Sequence, residues 1–269
     1  MDAKPWRFPT LNDRFSRHRQ VAERASRDAG DLLMGLYGKV AAREKRPGDL
    51  VTEADLASQR RIAEILAAEF PESTLLAEED GVVLDSSNPW RWIVDPIDGT
   101  TNFAHGFPFW CVSIALEFEG DLVVGVIYNP VTGQLFAATR GQGATLDGET
   151  IRVSSAATLG QSLIATGMPT PFEPDADRTL GHLRRMSTGT HSIRRTGSAA
   201  LNLAYVASGA FDIFYSTKIN PWDVAAGVVL IREAGGTLTL VSGAAYDLYG
   251  DEILATNGHV HAEAVAALT

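Results

Sequence analysis

The sequence predicts a mixed α/β fold in which sheets have helices packed between and outside them. Apolar residues recur at helical spacing over residues 11–37 and in several later segments, whereas apolar runs of strand length fill the middle of the chain. The chain has 269 residues, of which 45% are hydrophobic. This is enough for one large domain or two closely joined ones.

The first third of the chain is predicted to alternate helices with short strands. Residues 1–10 contain two prolines and are expected to form a loose arm before a helix over residues 11–37. Residues 43–49 are interpreted as a polar loop. Thr52 can cap a second helix, which Pro71 ends. Residues 73–77 and 91–95 are short strand candidates, and the apolar surroundings of Cys111 place that residue in the core. His105, a lone histidine near aromatic residues, is interpreted as packed and structural.

The rest of the chain begins with an antiparallel meander. Residues 110–118, 121–129 and 134–139 are predicted strands, and Gly-containing turns separate them, including a hairpin turn near residue 147. Later strands are expected at residues 162–168, 210–216, 237–241 and 252–257, and helices at 175–188, 198–208, 222–234 and 259–268. A soft boundary near residue 150 divides the chain into an N-terminal region, 1–150, and a C-terminal region, 151–269, within one compact unit.

The composition excludes several function classes. The formal net charge is -10, which argues against a general nucleic-acid partner because the phosphate backbone would repel the protein. The one cysteine cannot form an intrachain disulfide, which fits a reducing compartment. The N-terminus lacks an apolar signal segment, and no run approaches the ~18 apolar residues of a membrane span. We therefore expect a cytoplasmic protein with no membrane partner.

The stretch "WRWIVDPIDGTTNF" at residues 90–103 is the first candidate site. Asp95 and Asp98 flank a proline, and Gly99 permits a close backbone approach. Such a turn can direct both carboxylates, the Ile97 carbonyl and the Thr100 hydroxyl into one cavity, and these oxygen donors suit magnesium. The alternative is that the aspartates serve the turn backbone alone.

Two further acidic groups follow apolar segments. Glu78 and Glu79 come directly after a strand candidate, and Asp223 lies in the first turn of a predicted helix. Each has an ordinary explanation, namely a solvated loop for the glutamates and the helix dipole for Asp223. Taken together, the three acidic groups favour a shared cation site, since close carboxylates need cations or shifted pKa values.

These motifs identify a family resemblance. "DPIDGTTNF", preceded by "AEED" and followed by "WDVAAGVVLIREAGG", resembles the inositol monophosphatase family of lithium-sensitive, magnesium-dependent phosphatases. The likeness extends to "GDLVTEAD", "HGFPF" and "TGSAALNLAYVASGAFD", and so covers nearly the whole chain after residue 10. It implies a layered αβαβα sandwich of the inositol monophosphatase and fructose-1,6-bisphosphatase type, and a homodimer.

The resemblance also implies roles for individual residues. Two or three Mg²⁺ ions, which Mn²⁺ could replace, would be held by a set of oxygen ligands: Glu78, Asp95, the Ile97 carbonyl, Asp98, Thr100 and Asp223. The catalytic group would be Asp55 and Thr100, which activate the attacking water, together with Glu78. Glu79 and Asp49 would lie farther from the ions. The substrate contacts would be Gly99, Thr100 and Thr101 on the phosphate and Gly197, Ser198 and Ala199 on the alcohol.

The sequence departs from the inositol-cleaving members at one position. Those members have a glutamate seven residues before the aspartate of the Trp-Asp motif, whereas this chain has Ser216. Lys218 follows two residues later. It is either an ordinary solvated lysine or a contact for an anionic group on another substrate.

The resulting hypothesis is Mg²⁺-dependent hydrolysis of a small phosphate monoester, such as an inositol-1-phosphate-like polyol or sugar phosphate, by metal-activated water. Histidinol phosphate, fructose-1,6-bisphosphate and nucleotide 3'-phosphates are alternative substrates. A non-catalytic regulatory binding protein is the alternative outside this class. A calcium-binding module is disfavoured because the sequence has no twelve-residue calcium loop.

Overall fold

The structure, a computed structural model, describes residues 14–39, 43–46, 49–79, 88–169 and 172–269. The predicted arm at residues 1–10 and the side chain of Asp49 lie outside this description. The helices are α1 (Ser16–Leu36), α2 (Glu53–Glu69), α3 (Thr100–Ala104), α4 (Ala176–Ser187), α5 (Ala199–Ala207), α6 (Pro221–Ala234) and α7 (His261–Leu268).

The strands form a hairpin and two larger sheets. The hairpin consists of β1 (Arg43–Arg46) and β2 (Asp49–Val51). The seven-stranded sheet has the order β3 (Thr74–Ala77), β4 (Trp90–Asp98), β5 (Cys111–Phe118), β6 (Asp121–Asn129), β7 (Gln134–Thr139), β8 (Ala144–Leu146) and β9 (Glu149–Ile151). The five-stranded sheet has the order β11 (Ser192–Arg194), β10 (Leu163–Thr166), β12 (Ile213–Thr217), β14 (Glu252–Thr256) and β13 (Thr237–Thr239).

The pairing directions differ between the sheets. In the seven-stranded sheet only β3 and β4 are parallel, and every later pair is antiparallel, as the meander predicts. In the five-stranded sheet β10 lies parallel to both β11 and β12, while β14 runs antiparallel to β12 and β13.

The elements stack in five layers. Helices α1 and α2 cover one face of the seven-stranded sheet, and α5 and α6 lie between its other face and the five-stranded sheet. Helices α4 and α7 cover the outer face of the five-stranded sheet. Strand β12 illustrates the alternation, because Phe214 enters the central core whereas Ile213 and Tyr215 enter the outer one. The predicted αβαβα sandwich is confirmed.

The central helix packs closely against the large sheet. A Cβ atom on Gly125 of β6 would lie 2.4 Å from the carbonyl oxygen of Ala226 in α6. Only a glycine permits this approach, since a methyl group there would overlap the helix backbone. The contact holds α6, and with it Asp223 in its first turn, against the sheet that carries Asp95 and Asp98.

The helix boundaries follow the sequence signals. Thr52 forms a capping box with Asp55 at the start of α2, and Phe70 ends that helix. Helix α6 begins with Pro221 and ends at Gly235, whose φ of 90° is left-handed. The turn before β9 contains Asp147 and Gly148, both at positive φ, which is the predicted hairpin geometry.

Two local expectations were wrong. Within residues 43–49, interpreted as a loop, Arg43–Arg46 form β1 and Asp49 begins β2, and these polar residues carry no alternating apolar signal. His105, expected to be packed near aromatic residues, is exposed at the end of α3. None of the helices in the described ranges is both long enough and apolar enough to cross a bilayer.

Candidate active site

The acidic turn lies where β4 leaves its regular pairing with β5. The register shifts between Asp95 and Asp98, so the chain bulges over Pro96 and Ile97. Proline has no N–H for the ladder, and its carbonyl instead accepts a hydrogen bond from Ser58 of α2 at 3.0 Å. Because of the bulge, the side chains of Asp95 and Asp98 do not follow the regular alternation of a β-strand.

The Asp95 carboxylate is almost completely buried. Its Oδ1 accepts a hydrogen bond from the Ile97 N–H at 3.0 Å. Burial raises the pKa of Asp95 well above its ordinary value, and the negative charges of Glu78, Asp98, Asp223 and Asp55 raise it further. These carboxylates thus act on one another, although they come from distant parts of the sequence.

Asp98 is held by the start of α5. Its carboxylate accepts hydrogen bonds from the Ser198 hydroxyl, from the N–H of Ala200 at 2.6 Å and from the N–H of Ala199 at 3.2 Å. The Cys111 thiol lies 3.8 Å from the same carboxylate. Burial raises the pKa of Asp98, while these donors oppose that effect.

Asp223 lies in the first turn of α6. Its carboxylate accepts hydrogen bonds from the N–H of Asn220 at 2.8 Å and from the Asn220 side-chain amide at 3.3 Å, which completes a capping box. Burial, followed by the charge of Asp98, raises the pKa of Asp223 to about 8. The helix dipole therefore explains only part of its setting, since the acid also faces the other carboxylates.

Asp55 and Thr100 form a hydroxyl–carboxylate pair. The Thr100 hydroxyl lies 2.9 Å from Asp55 Oδ1 and 3.0 Å from the Ile97 carbonyl oxygen, so its one proton is shared between two acceptors. The other oxygen of the fully buried Asp55 accepts hydrogen bonds from the N–H and hydroxyl of Thr52, each at 2.7 Å. Helix α2 thus fixes this carboxylate before any ligand binds.

Glu78 and Glu79 follow β3 directly, at the edge of the same cleft. The N–H of Glu79 donates to the side-chain oxygen of Gln59 in α2 at 3.0 Å, which anchors the end of the strand. Glu78 is half-buried, and its charge contributes to the raised pKa of both Asp95 and Asp223.

The donor set fits a hard divalent cation. Among the ion pairs of the described residues, none joins a Lys or Arg to Asp95, Asp98 or Asp223. Buried carboxylates need a compensating charge, and oxygen ligands of this kind suit Mg²⁺. Within the described residues, no three His, Cys, Asp or Glu side chains already have the arrangement of a finished metal site.

The residues predicted to meet the substrate divide into two groups. Gly99 and Gly197 face each other, because a Cβ on Gly99 would lie 3.2 Å from the Gly197 carbonyl oxygen. Ser198 follows Gly197, but its hydroxyl is directed at Asp98, while Thr101 is exposed beside the turn. Two of the predicted contacts, Gly99 and Gly197, thus meet at one point.

Lys218 lies on the surface. Its ammonium group donates to the Asp251 carboxylate at 2.9 Å, and half of its side chain is exposed. Ser216, which precedes it on β12, is buried. The ammonium group has three N–H donors, so its pair with Asp251 leaves donors for a second anionic group.

Several supporting residues escaped the sequence analysis. Ser58 and Gln59 of α2 bind the backbone at the ends of β4 and β3, and Cys111 was interpreted only as a core residue. The signal available for Ser198 was its place at the N-cap of α5, which predicts a cap but not a bond to Asp98. No local pattern pointed to the others.

The sequence profile of the inositol monophosphatase family matches residues 16–269. The chain belongs to the inositol monophosphatase family. Members of this family are metal-dependent phosphoric monoester hydrolases, and the chain is accordingly an enzyme of that class.

Individual relatives agree with the family assignment. The inositol-1-monophosphatase of Synechocystis sp. is 43% identical over 93% of this chain and 88% of its own length. Nus factor SuhB of Escherichia coli K12 is 39% identical over 89% of this chain and 91% of its own length. The crystal structure of the extragenic suppressor protein suhB of Bartonella henselae superposes with a TM-score of 0.90 at 40% identity, covering 94% of this chain and 98% of the other.

Proposed function

We propose that this member of the inositol monophosphatase family uses Mg²⁺ to hydrolyse an inositol-1-phosphate-like polyol or sugar monophosphate. The observation that carries the proposal is that Asp95, Asp98 and Asp223, which are buried or partly buried, have raised pKa values. Among the described residues, no ion pair joins a Lys or Arg to any of these three. The Asp55–Thr100 pair adjoins that group.

The oxygen ligands for two or three ions would be Glu78, Asp95, the Ile97 carbonyl, Asp98, Thr100 and Asp223. When bound, Mg²⁺ would neutralise the phosphate, lower the pKa of a water molecule and stabilise the leaving alkoxide. Mn²⁺, which has similar ligand preferences, would replace it.

The protein's own contribution to the reaction is positioning. With its proton directed at Asp55, the Thr100 hydroxyl presents a lone pair to a water molecule and orients it for attack on phosphorus. Asp55 cannot turn away, because Thr52 holds its second oxygen. The backbone of Gly99 and Thr101 would hold the phosphate oxygens, and Gly197, Ser198 and Ala199 would adjoin the alcohol.

Phosphate release from a panel of monoesters tests this function. The panel contains inositol 1-phosphate, histidinol phosphate, fructose 1,6-bisphosphate and a nucleotide 3'-phosphate, each with Mg²⁺ and with or without Li⁺. We expect the polyol phosphate to be preferred and Li⁺ to inhibit. Asp98→Asn should lower kcat by about 100-fold or more, because one charged ligand is lost.

Asp121→Asn is the matched control for Asp98→Asn. Asp121 is an exposed aspartate whose only described ion pair joins Arg140 on the surface, and its substitution should leave kcat unchanged. Full activity of Asp98→Asn, or equal activity of the wild type with and without EDTA, would overturn the proposal.

A second candidate function is a regulatory binding role beside catalysis. The observation that favours it is the 39% identity to proteins named Nus factor SuhB. Expression of Asp98→Asn in cells that lack the protein separates the roles. Restoration of a deletion phenotype by this variant supports binding, whereas failure supports catalysis.

We also propose that the protein acts in the cytoplasm as a homodimer. The family assignment supports the assembly, and the single cysteine supports a reducing compartment. Light scattering coupled to size-exclusion chromatography should give a mass close to twice 28.9 kDa. A mass of one chain at micromolar concentration would refute the dimer.

A further inference from the structure

Asn102 joins two segments that the sequence keeps far apart. It lies in α3, and its side-chain nitrogen donates to the carbonyl oxygen of Phe109 at 2.6 Å and to that of Thr196 at 2.8 Å. A side-chain amide has two N–H hydrogens, so both are used. Phe109 leads into β5 and Thr196 leads into α5. One side chain thus connects the two halves of the cleft.

Asn102 is also in contact with the paired glycines. A Cβ atom on Gly197 would lie 2.9 Å from the Asn102 amide nitrogen, and a Cβ on Gly99 would lie 3.1 Å from the Phe109 carbonyl oxygen. Both glycines have left-handed φ angles, 100° at Gly99 and 88° at Gly197. The turn and the facing segment therefore approach at backbone distance, with the Asn102 amide lying between the carbonyls of Phe109 and Thr196.

The backbone of Asn102 is held by the chain that follows its helix. The N–H of Phe107 donates to the Asn102 backbone carbonyl at 2.8 Å. The facing segment, by contrast, lies near the surface, since Arg195 and Gly197 are exposed and Thr196 is half-buried. The hydrogen bond from Asn102 to Thr196 therefore contributes to where the neighbouring Gly197 lies.

We propose that Asn102 is a positioning residue that fixes the separation between the phosphate-holding turn, Gly99–Thr101, and the alcohol-holding segment, Gly197–Ala199. This inference rests on the proposed function. The separation determines which alcohols fit beside a bound phosphate, so Asn102 governs the choice of alcohol and leaves phosphate binding unaffected.

The chemistry requires a donor at this position. Aspartate has the shape of asparagine but would place an anionic oxygen against two carbonyl oxygens, which repel it. Alanine would leave both carbonyls to water. The segment keeps a second tether, because the Thr196 hydroxyl donates to the Asn202 side-chain oxygen at 2.6 Å. Substitution should therefore loosen the segment without unfolding the protein.

Asn102→Asp is the principal test, and Asn129→Asp is its matched control. The side-chain oxygen of Asn129 accepts hydrogen bonds from the N–H groups of Val131 at 3.0 Å and Thr132 at 3.3 Å, and aspartate can accept both. The variants are compared on inositol 1-phosphate and on phenyl phosphate, whose alcohol has no further hydroxyl groups. Hydrogen exchange of residues 194–200 is measured in the same samples.

For Asn102→Asp we expect kcat/KM on inositol 1-phosphate to fall about tenfold or more, mainly through KM. The value on phenyl phosphate and the inhibition constant of inorganic phosphate should change by less than about threefold. Exchange of residues 194–200 should become about tenfold faster. Asn129→Asp should resemble the wild type in all of these. If Asn102→Asp does not fold, Asn102→Ala should give the same pattern.

Equal losses on both substrates, or unchanged exchange of residues 194–200, would overturn the role of Asn102. Failure of the proposed function can be told apart from failure of this inference. If the wild type had no phosphatase activity, the hydrogen-exchange measurement would still test whether Asn102 tethers the segment. In that case, faster exchange supports the tether and unchanged exchange removes it.

Discussion

Replacing Asp223 with asparagine should stabilise the metal-free protein and abolish its stabilisation by Mg²⁺. The pKa of Asp223 is raised to about 8 from its usual value of 3.8. Between these pH values the folded state holds a proton that the unfolded state has released, so stability falls as pH rises from 3.8 to 8. Above pH 8 the buried charge opposes folding, and a neutral amide removes that opposition.

The magnitude follows from the pKa. One pKa unit corresponds to about 1.4 kcal/mol, which gives an upper limit of about 6 kcal/mol. Part of Asp223 remains open to solvent, and its titration is linked to that of Asp98, so we expect about 3 kcal/mol. The helix loses about 0.5–1 kcal/mol because an acid at its N-terminus is removed. The net gain is about 2 kcal/mol, or roughly 4–8 °C.

Thermal unfolding at pH 8 measures this effect, in EDTA and in Mg²⁺. Mg²⁺ at about 100 times its Kd should stabilise the wild type by about 2.7 kcal/mol and should not stabilise the variant measurably. The order of stability should therefore reverse between the two conditions. Asp121→Asn, which alters a surface carboxylate, should change neither value. If Asp223→Asn were less stable than the wild type in EDTA, the carboxylate would not be an uncompensated buried charge.

Three further predictions concern packing, pH and specificity. Gly125→Ala should lower the free energy of unfolding in urea by about 1–3 kcal/mol because the added methyl group overlaps the Ala226 carbonyl. Gly35→Ala, whose methyl group would meet open space, should be neutral or stabilising. Equal effects of the two substitutions would contradict the close packing at Gly125. Burial lowers the pKa of His18 to about 4. The unfolded chain therefore binds a proton more readily than the folded one, and the free energy of unfolding should fall by about 1–2 kcal/mol as pH falls from 6.5 to 4. This part of the fall should be absent in His18→Phe, and a pH profile like that of the wild type would refute it. Lys218→Ala should reduce kcat/KM about fivefold for a bisphosphate and little for a monophosphate. If the variant and the wild type had equal kcat/KM on each of the two substrates, a contact between Lys218 and the substrate would be excluded.

The sequence was most informative where the determinants are local. Strand β6 has its predicted bounds because turn residues flank its apolar run, and α6 ends at Gly235 because that position requires a left-handed residue. The hairpin β1–β2 was not predicted because its strands pair through backbone hydrogen bonds, and its largely polar side chains show no alternation of apolar and polar residues.

The supporting contacts of the site depend on partners far away in the sequence. Ser198 follows Asp98 by 100 residues and Asn102 precedes Thr196 by 94, so no spacing rule connects them. Both residues have ordinary local explanations, a helix cap and a short helical turn. Only the three-dimensional arrangement reveals the second role of each.

Anomalous diffraction from crystals grown with Mn²⁺ tests the central claim most directly. We predict two or three manganese peaks, each within about 2.5 Å of oxygen atoms from Glu78, Asp95, Asp98 or Asp223. Asp95 should contact two of the ions. Manganese peaks located elsewhere, or none in this cleft at millimolar Mn²⁺, would contradict the claim that these carboxylates hold the catalytic ions.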